Sequence, residues 1–510
     1  MHRSTDRRLS RRRVIGAIGA AAATLPLSGL ASSPADAAVR VRADIATTSG
    51  QKMLALFKRA VGIMKQKPEW DPSSWLFQAN VHSHPYLDDN FNVTDDARAI
   101  FKQSGATSAL RTLALGSDGS GQDGIWNTCS HFRDYPEHFV SWHRLYLYHF
   151  ERIVEHIVGQ PFVLPYWNYT DPKSPAKRMM PKEFAKAKAG QPENPLWYPD
   201  RNPQFLAKGL RVEDIRARAS LDNPVYLDTP VQDGDPQPGF NAAIDQQPHG
   251  QVHVRVGTPG GGMQSIQFAA RDPLFWVHHA NIDRLWESWR RPRADGSSDR
   301  DPTDSSWLGR SFTFAAPDGS PVSMTVQQGL DIKKGLSFSY DRLQNIKLVT
   351  LAVAVSAAAG PVKSTTLSAS KSDTSVAISG QDTPYTIDIA PAAPAAQSQS
   401  LVRNPSAHFR LVLGVEASKN PGCVYDVFLK VKKSVSSQET EEVFLETFNL
   451  FGAGHGPHAK HHPITWQTDI TDLVRKSKFD PAVPGQVVVR CKFADPIAPA
   501  VIKSVTVQAQ

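Results

Sequence analysis

His249-Gly250-Gln251-Val252-His253, followed by Asp272-Pro273-Leu274-Phe275-Trp276-Val277-His278-His279, is the stretch on which the fold turns. Residues four apart lie about 40° apart on an α-helix, so His249 and His253 share a face and can converge on one metal ion. The second motif opens a helical region predicted to run from about Pro273 to Arg290. Upstream, the clearest helix is predicted from Trp142 to Val158. Counting from His143, positions +4, +7, +11 and +14 are Leu147, Phe150, Val154 and Ile157, one apolar stripe at helical period. His143 therefore points into the core. His82 follows Trp75 and Ala79 at +7 and +3, a buried face again. Residues 171 to 248, dense in Pro, Asp and Gly, predict long surface loops.

These regions carry two groups out of the 17 histidines in the chain. One holds His82, His131 and His143; the other holds His249, His253 and the pair His278-His279. Any single member reads equally well as a core histidine with a satisfied ring. The set reads differently. Two triads of imidazole alone, without Cys or carboxylate at ligand spacing, suit a metal that favours imidazole, copper and zinc ahead of iron and nickel. Zinc is ordinarily held at one site with an open position, whereas two such triads suggest a coupled pair of ions and O2 chemistry.

Several longer motifs agree in order and spacing across residues 75 to 290. His143-Arg144 leads an aromatic-rich helix with Glu151; Leu164-Pro165-Tyr166-Trp167 follows; His249-Gly250-Gln251-Val252-His253 precedes Arg271-Asp272-Pro273-Leu274-Phe275 and His278-His279-Ala280-Asn281-Ile282-Asp283-Arg284-Leu285-Trp286. In these motifs the chain resembles the tyrosinase, catechol oxidase and polyphenol oxidase family of type 3 copper proteins. The resemblance implies a mainly α catalytic domain whose four-helix bundle holds two copper ions. It implies His82, His131 and His143 on the first copper, and His249, His253 and His279 on the second. At the His278-His279 pair, helical period gives His278 apolar company in Ile282, Leu285 and Trp289, while the family pattern makes the second histidine the ligand. His138 competes with His131, but Cys129-Ser130-His131 resembles the Cys-x-His of fungal members, in which the cysteine forms a thioether to the ligand imidazole. Cys129 is either linked to His131 in that way or a buried free thiol. Arg144, Asp283 and Arg284 are candidates for orienting the ligand imidazoles, or else for a buried structural ion pair. His84, His149 and His156 carry no assigned role. His455, His458, His461 and His462 read as solvated loop histidines rather than a metal store.

The resemblance further implies an oxidoreductase that uses O2 to oxidise a small phenolic substrate. Family members that hydroxylate monophenols carry Asn directly after the first His of the second triad and a nearby acidic residue, which together hold a water able to take the phenolic proton. Here Gly250 follows His249, and the acidic candidate is Asp245, one methylene shorter than the Glu of plant-type members. Gly250 and Asp245 thus predict oxidation of o-diphenols or o-aminophenols to o-quinones or quinone imines, with weak or no monophenol hydroxylation, and room for a bulkier ring. The alternatives are a true tyrosinase with monophenolase activity and a hemocyanin-like O2-binding protein. A di-zinc hydrolase is disfavoured, because such sites usually include carboxylate ligands.

At 510 residues the chain is long enough for two or three domains, and 40% hydrophobic with 21% charged residues is ordinary globular composition. Residues 1–38 read as a twin-arginine export signal. Ser10-Arg11-Arg12-Arg13 precedes the apolar run Val14 to Leu30 and the cleavage pattern Ala35-Asp36-Ala37. A secreted or periplasmic protein is expected, with no membrane anchor and a copper chaperone among its partners. Six arginines against two aspartates in this segment carry half of the formal +8, and the remainder is too weakly basic for a nucleic-acid partner. Three cysteines without close spacing exclude a disulfide framework. The expected order is a catalytic domain over 39–340, linker and weak strands over 341–400, and a C-terminal antiparallel β domain over 401–510. That last domain is similar to the plant-type one and is expected to shield the active site. Tyr425, Val427, Leu429 and Val431 alternate as in a half-buried strand, and Phe409–Val415, Val443–Phe448 and Gln486–Phe493 are similar runs.

Overall fold

The computed structural model describes residues 39–86, 92–117, 123–131, 133, 135–171, 173–232, 234–345, 362–432, 439–453, 464–493 and 496–510. The expected export signal over residues 1–38 and the loop histidines His455, His458, His461 and His462 lie outside them.

Helix α1 (Thr48–Met64) starts where the Thr47 side chain accepts from Gly50 N, and α2 (Trp75–His82) where Ser74 accepts from Phe77 N. Each cap satisfies an N–H that the first helical turn leaves free. Helix α3 (Phe139–Val158) stops at Gly159, whose φ of 66° is left-handed backbone suited to glycine. A wide turn over Asp245–Gly250 leads into α4 (Gln251–Val256). Helix α5 (Pro273–Arg290) spans the residues predicted for it. Asp272 caps it through Leu274 N, and Pro273 sits in the first turn, where no N–H is needed.

The stripe predicted on α3 is the packed face: His143, Leu147, Phe150 and Val154 are buried and Ile157 is half-buried. Phe150 stacks on Trp276 of α5 at 3.5 Å between centroids, and Trp75 of α2 packs on both at 6.2 and 6.0 Å. Every residue of α5 is buried, as expected for a helix at the centre of a domain. The helical core is tied at its ends by strand β1 (Arg40–Arg42), which runs parallel to β2 (Phe338–Tyr340). Between residues 171 and 248 there are only short helices and turns and one small strand pair, as the composition predicts.

The C-terminal part is a nine-stranded antiparallel sheet: β3 (Thr365–Ala369), β4 (Val376–Ile378), β5 (Pro384–Pro391), β6 (Phe409–Glu416), β7 (Val424–Lys432), β8 (Thr440–Asn449), β9 (Ile464–Asp469), β10 (Gly485–Lys492) and β11 (Ala500–Ala509). The order is β8-β7-β10-β5-β3-β11-β6-β9, with β4 also on β11. Tyr425, Val427, Leu429 and Val431 all face the second core, so the alternation read on β7 is a true half-buried strand. Strands β3 to β5 lie in the segment expected as linker and weak strands and belong to the same sheet, β5 pairing with both β10 and β3. They look weak in sequence because only alternate residues turn inward, Ile387 and Ile389 on β5 among Thr, Asp and Ala.

Helical and sheet parts form one compact unit. Polar contacts between them include Arg211 with Asp426 at 2.9 and 3.0 Å, Asn420 donating to Gln264 O at 2.9 Å, Gln204 to Phe493 O at 2.8 Å, and the Arg255 guanidinium 3.1 Å over the Phe493 ring. Among the described residues no helix is long and apolar enough to cross a membrane.

Candidate metal centre

Helices α2, α3 and α5 and the turn into α4 deliver their histidines to one region. Donor atoms of His249, His253, His278 and His279 lie within 4.8 Å of one another, as do those of His82, Cys129 and His143. The two groups are adjacent: the His143 and His279 rings stack at 4.2 Å with 6° between planes. His82, His143, His249, His253 and His279 are therefore brought together as expected. His278 belongs with them too, its Nδ1 2.9 Å from the Tyr169 hydroxyl. His279 instead turns its Nε2 to within 3.4 Å of His253 Nε2, between the two groups, which favours it as the ligand of the pair.

His131 is placed differently from the expectation. The third donor beside His82 and His143 is Cys129, and His131 Nε2 lies 3.0 and 3.1 Å from the Asp245 oxygens. The physical reason is charge. Although burial opposes it, Asp245 and Cys129 hold the His131 pKa well above the usual imidazole value, while His131 and His249 hold the Asp245 carboxyl well below the carboxylate range. Cys129 is buried and in no disulfide, with Sγ 3.2 Å from His131 Nδ1. Burial alone would raise its pKa, but the imidazoles of His82, His131 and His143 pull it well below the ordinary thiol value. Asp245, expected to fall short, reaches both His131 and His249 Nδ1, the latter at 2.9 Å. Gly250 is not open space either. A Cβ there would meet the Asn449 amide of β8 at 2.6 Å, so with the sheet in place the predicted room for a bulky ring is filled.

Ring orientation comes from main-chain carbonyls. Nδ1 of His82, His143, His249 and His253 faces the oxygens of Ile266 (3.2 Å), Phe139 (2.7 Å), Asp245 (3.1 Å) and Met263 (2.7 Å). Such bonds hold the proton on Nδ1 and present Nε2 as the donor. Arg144, Asp283 and Arg284, read as candidate orienters, bond no imidazole. Arg144 donates to Asp283 and Glu287, and Arg284 to Asn281, Asn168, Thr170 and Gln344, so the ion-pair reading holds for the first two. His138 stacks on Trp307 at 5.5 Å and stays outside the set. His84 and His149, given no role, are buried against Trp126 and Phe314.

Burial, with neighbouring imidazoles, lowers the pKa of His253, His278 and His279 well below the usual value; for His143, burial is the largest cause and the value is about 4. The rings are neutral donors at pH 7. The buried Nε2 atoms of His249 and His278 have no hydrogen-bond partner. Neutral nitrogen donors aimed at one dry region fit a soft-to-borderline metal such as copper. The sequence reading missed Phe451, which follows β8 and stacks on His253 at 4.4 Å, with His249 and His131 at 5.6 and 5.8 Å. A lone aromatic in Asn449-Leu450-Phe451-Gly452 leaves no periodic signal.

A helical domain that converges imidazoles in two adjacent groups defines a class of dinuclear, nitrogen-ligated metal proteins. The sequence profile of the common central domain of tyrosinase matches residues 72–226 and 200–292, and that of the polyphenol oxidase middle domain matches residues 301–349. The chain belongs to the tyrosinase and polyphenol oxidase family of type 3 copper oxidoreductases. It is 25% identical over 449 residues to tyrosinase HcTyr1 of Hahella sp. (strain CCB-MM4), covering 83% of this chain and 88% of that protein. It is 29% identical over 335 residues to the chloroplastic polyphenol oxidase A1 of Vicia faba, covering 60% of this chain and about half (48%) of the plant protein's length. The fold is like that of latent aurone synthase (polyphenol oxidase) from natural source, with TM-score 0.57 at 18% identity, covering 93% of this chain and 91% of that one.

Proposed function

We propose that this chain is a latent dicopper oxidase of o-diphenols or o-aminophenols, with α2, α3, α4 and α5 as the four-helix bundle around the metal pair. His82, His143, His249, His253 and His279 would hold copper, together with His131 once its imidazole leaves Asp245. When bound, the copper pair supplies the redox chemistry with O2 that turns the phenolic substrate into a quinone or quinone imine. The chain's own part is to keep the donors neutral, dry and fixed through their Nδ1 bonds, and to control the entrance. The observation that carries the reading is Phe451. Its ring comes from the sheet part yet packs with the helical core and stacks on His253 where a substrate ring would rest.

Gly250 offers no side chain to hold a water, and Asp245 still faces His249 Nδ1 at 2.9 Å once His131 has left it, so neither is set to take a proton from a monophenol. A true tyrosinase is the second reading, and comparable rates on tyramine and dopamine favour it. A hemocyanin-like carrier would bind O2 without turning over catechol. Export after folding, with copper received from a chaperone, fits the twin-arginine motif. Phe451→Ala in the full chain is expected to raise catechol oxidation by about ten-fold, equivalent to about 1.4 kcal/mol, with two coppers per chain by metal analysis. An unchanged rate would show that the ring is no cover, and absence of copper would remove the reading itself.

A further inference from the structure

Asp245 is more closely engaged than an orienting role requires. His249 Nδ1 already has the Asp245 main-chain oxygen at 3.1 Å, so the carboxylate at 2.9 Å is not needed to fix that ring. The carboxylate instead lies between two imidazoles. His131 Nε2 is 3.0 Å from Oδ1, and the His131 and His249 rings are nearly parallel, 5.8 Å apart at 10°. Donor atoms of His131, Asp245 and His249 all lie within 4.8 Å of one another. Among the described residues this is the one group of potential metal donors that contains a carboxylate. It also has an open edge: the His131 and Asp245 side chains are 13% and 29% exposed, whereas its third member His249, like His82, His143, His253, His278 and His279, is closed to solvent.

This group touches both buried ones. His249 is shared with His253, His278 and His279, and His131 Nδ1 is 3.2 Å from Cys129, which belongs with His82 and His143. A mixed oxygen and nitrogen set with open positions suits a divalent ion that still carries water, while the all-imidazole interior requires one that has lost it. An aspartate at the exposed edge also attracts a cation through its charge. We propose that His131, Asp245 and His249 form a third, transient metal position, a receiving site that takes hydrated Cu(II) at the edge of the cluster and passes it to the buried imidazoles. This rests on the reading of those imidazoles as copper ligands. The ion keeps its charge: on arrival it displaces the protons of His131 and His249 Nδ1 to solvent, and as it moves inward to His249 Nε2 its remaining waters leave, His249 Nδ1 regains a proton and His131 is freed from Asp245.

The test uses the full chain, stripped of metal with a chelator, mixed with copper(II) sulfate and freeze-quenched for electron paramagnetic resonance. A mononuclear copper signal with nitrogen and oxygen donors should appear first and decline as the final copper content is reached. In Asp245→Asn that early signal should be lost and uptake slowed about ten-fold or more, with the same copper content at equilibrium; Asp245→Glu should restore the rate. Unchanged uptake in Asp245→Asn overturns the proposal. A lower equilibrium copper content in that variant also overturns it, because Asp245 would then be a permanent contributor. A wild-type chain that binds no copper at all would instead refute the copper reading on which the proposal stands.

Discussion

His253 is held on three sides. Its Nδ1 donates to Met263 O at 2.7 Å, its Nε2 lies 3.4 Å from His279 Nε2, and Phe451 covers its face at 4.4 Å. Replacing it with Ala removes one of the three imidazoles assigned to the second copper, and two imidazoles hold copper far more weakly than three. His253→Ala is expected to lose about one copper per chain and all catechol oxidation, read by metal analysis and O2 uptake; full copper content would refute the assignment. At this scale the sequence made legible those histidines whose position is set by helical period, His82, His143, His249 and His253. The place of His131 was not legible, because its partner Asp245 lies 114 residues away and the attraction between them is not a matter of period. Gly250 misled for a similar reason, since the group that fills its space is Asn449, brought from another part of the chain.

At the scale of elements, α3 and α5 were readable because an apolar stripe or a wholly buried helix leaves a long pattern. The charges between them were not. Asp283 on α5 accepts from Arg144 at 2.5 Å and from Arg42 at 2.9 Å, all nearly closed to solvent. Asp283→Ala would leave Arg144 with Glu287 and Arg42 with Glu151 as their carboxylate partners, so it is expected to cost about 1.5–3 kcal/mol through lost charged hydrogen bonds, measured as a lower denaturant midpoint with unchanged slope. His149 on α3 supplies a second test. Burial above all, with Arg152 nearby, lowers its pKa from 6.5 to about 4. The unfolded chain therefore binds the extra proton between those values, and stability falls as pH drops below 6.5, by up to about 1.4 kcal/mol per pH unit for this one group. In the metal-free chain, His149→Leu should lose less stability than wild type between pH 7 and 5 in denaturant titrations; an equal loss would mean that His149 takes up its proton alike in the folded and unfolded states.

For the molecule as a whole, the sheet docks on the helices through charged pairs as well as through Phe451, and the charged pairs are ties that can part. Asp426 of β7 holds Arg211 by two bonds and also accepts from Thr447, while Arg211 keeps Asp214 as a second partner. Asp426→Ala thus strands no cation. A charged hydrogen-bond pair contributes about 1.5–3 kcal/mol, so the variant should raise the basal catechol rate of the full chain roughly ten-fold; no change would show that this pair does not hold the cover. The sequence signalled a second domain through its shift to alternating strands, but its start could not be read, because β3 to β5 become strands only by pairing with residues beyond 480. A different long-range tie closes the other end. Arg42, near the beginning of the described chain, bonds Glu151, Asp283 and Tyr340, the last 298 residues away, and its strand β1 pairs with β2 at Phe338. During synthesis this clasp can shut only after residue 340 has left the ribosome. The first described strand thus waits for the end of the helical part, and a chain handed on before that moment would hold Arg42 on Glu151 and Asp283 without Tyr340 or β2 beside it.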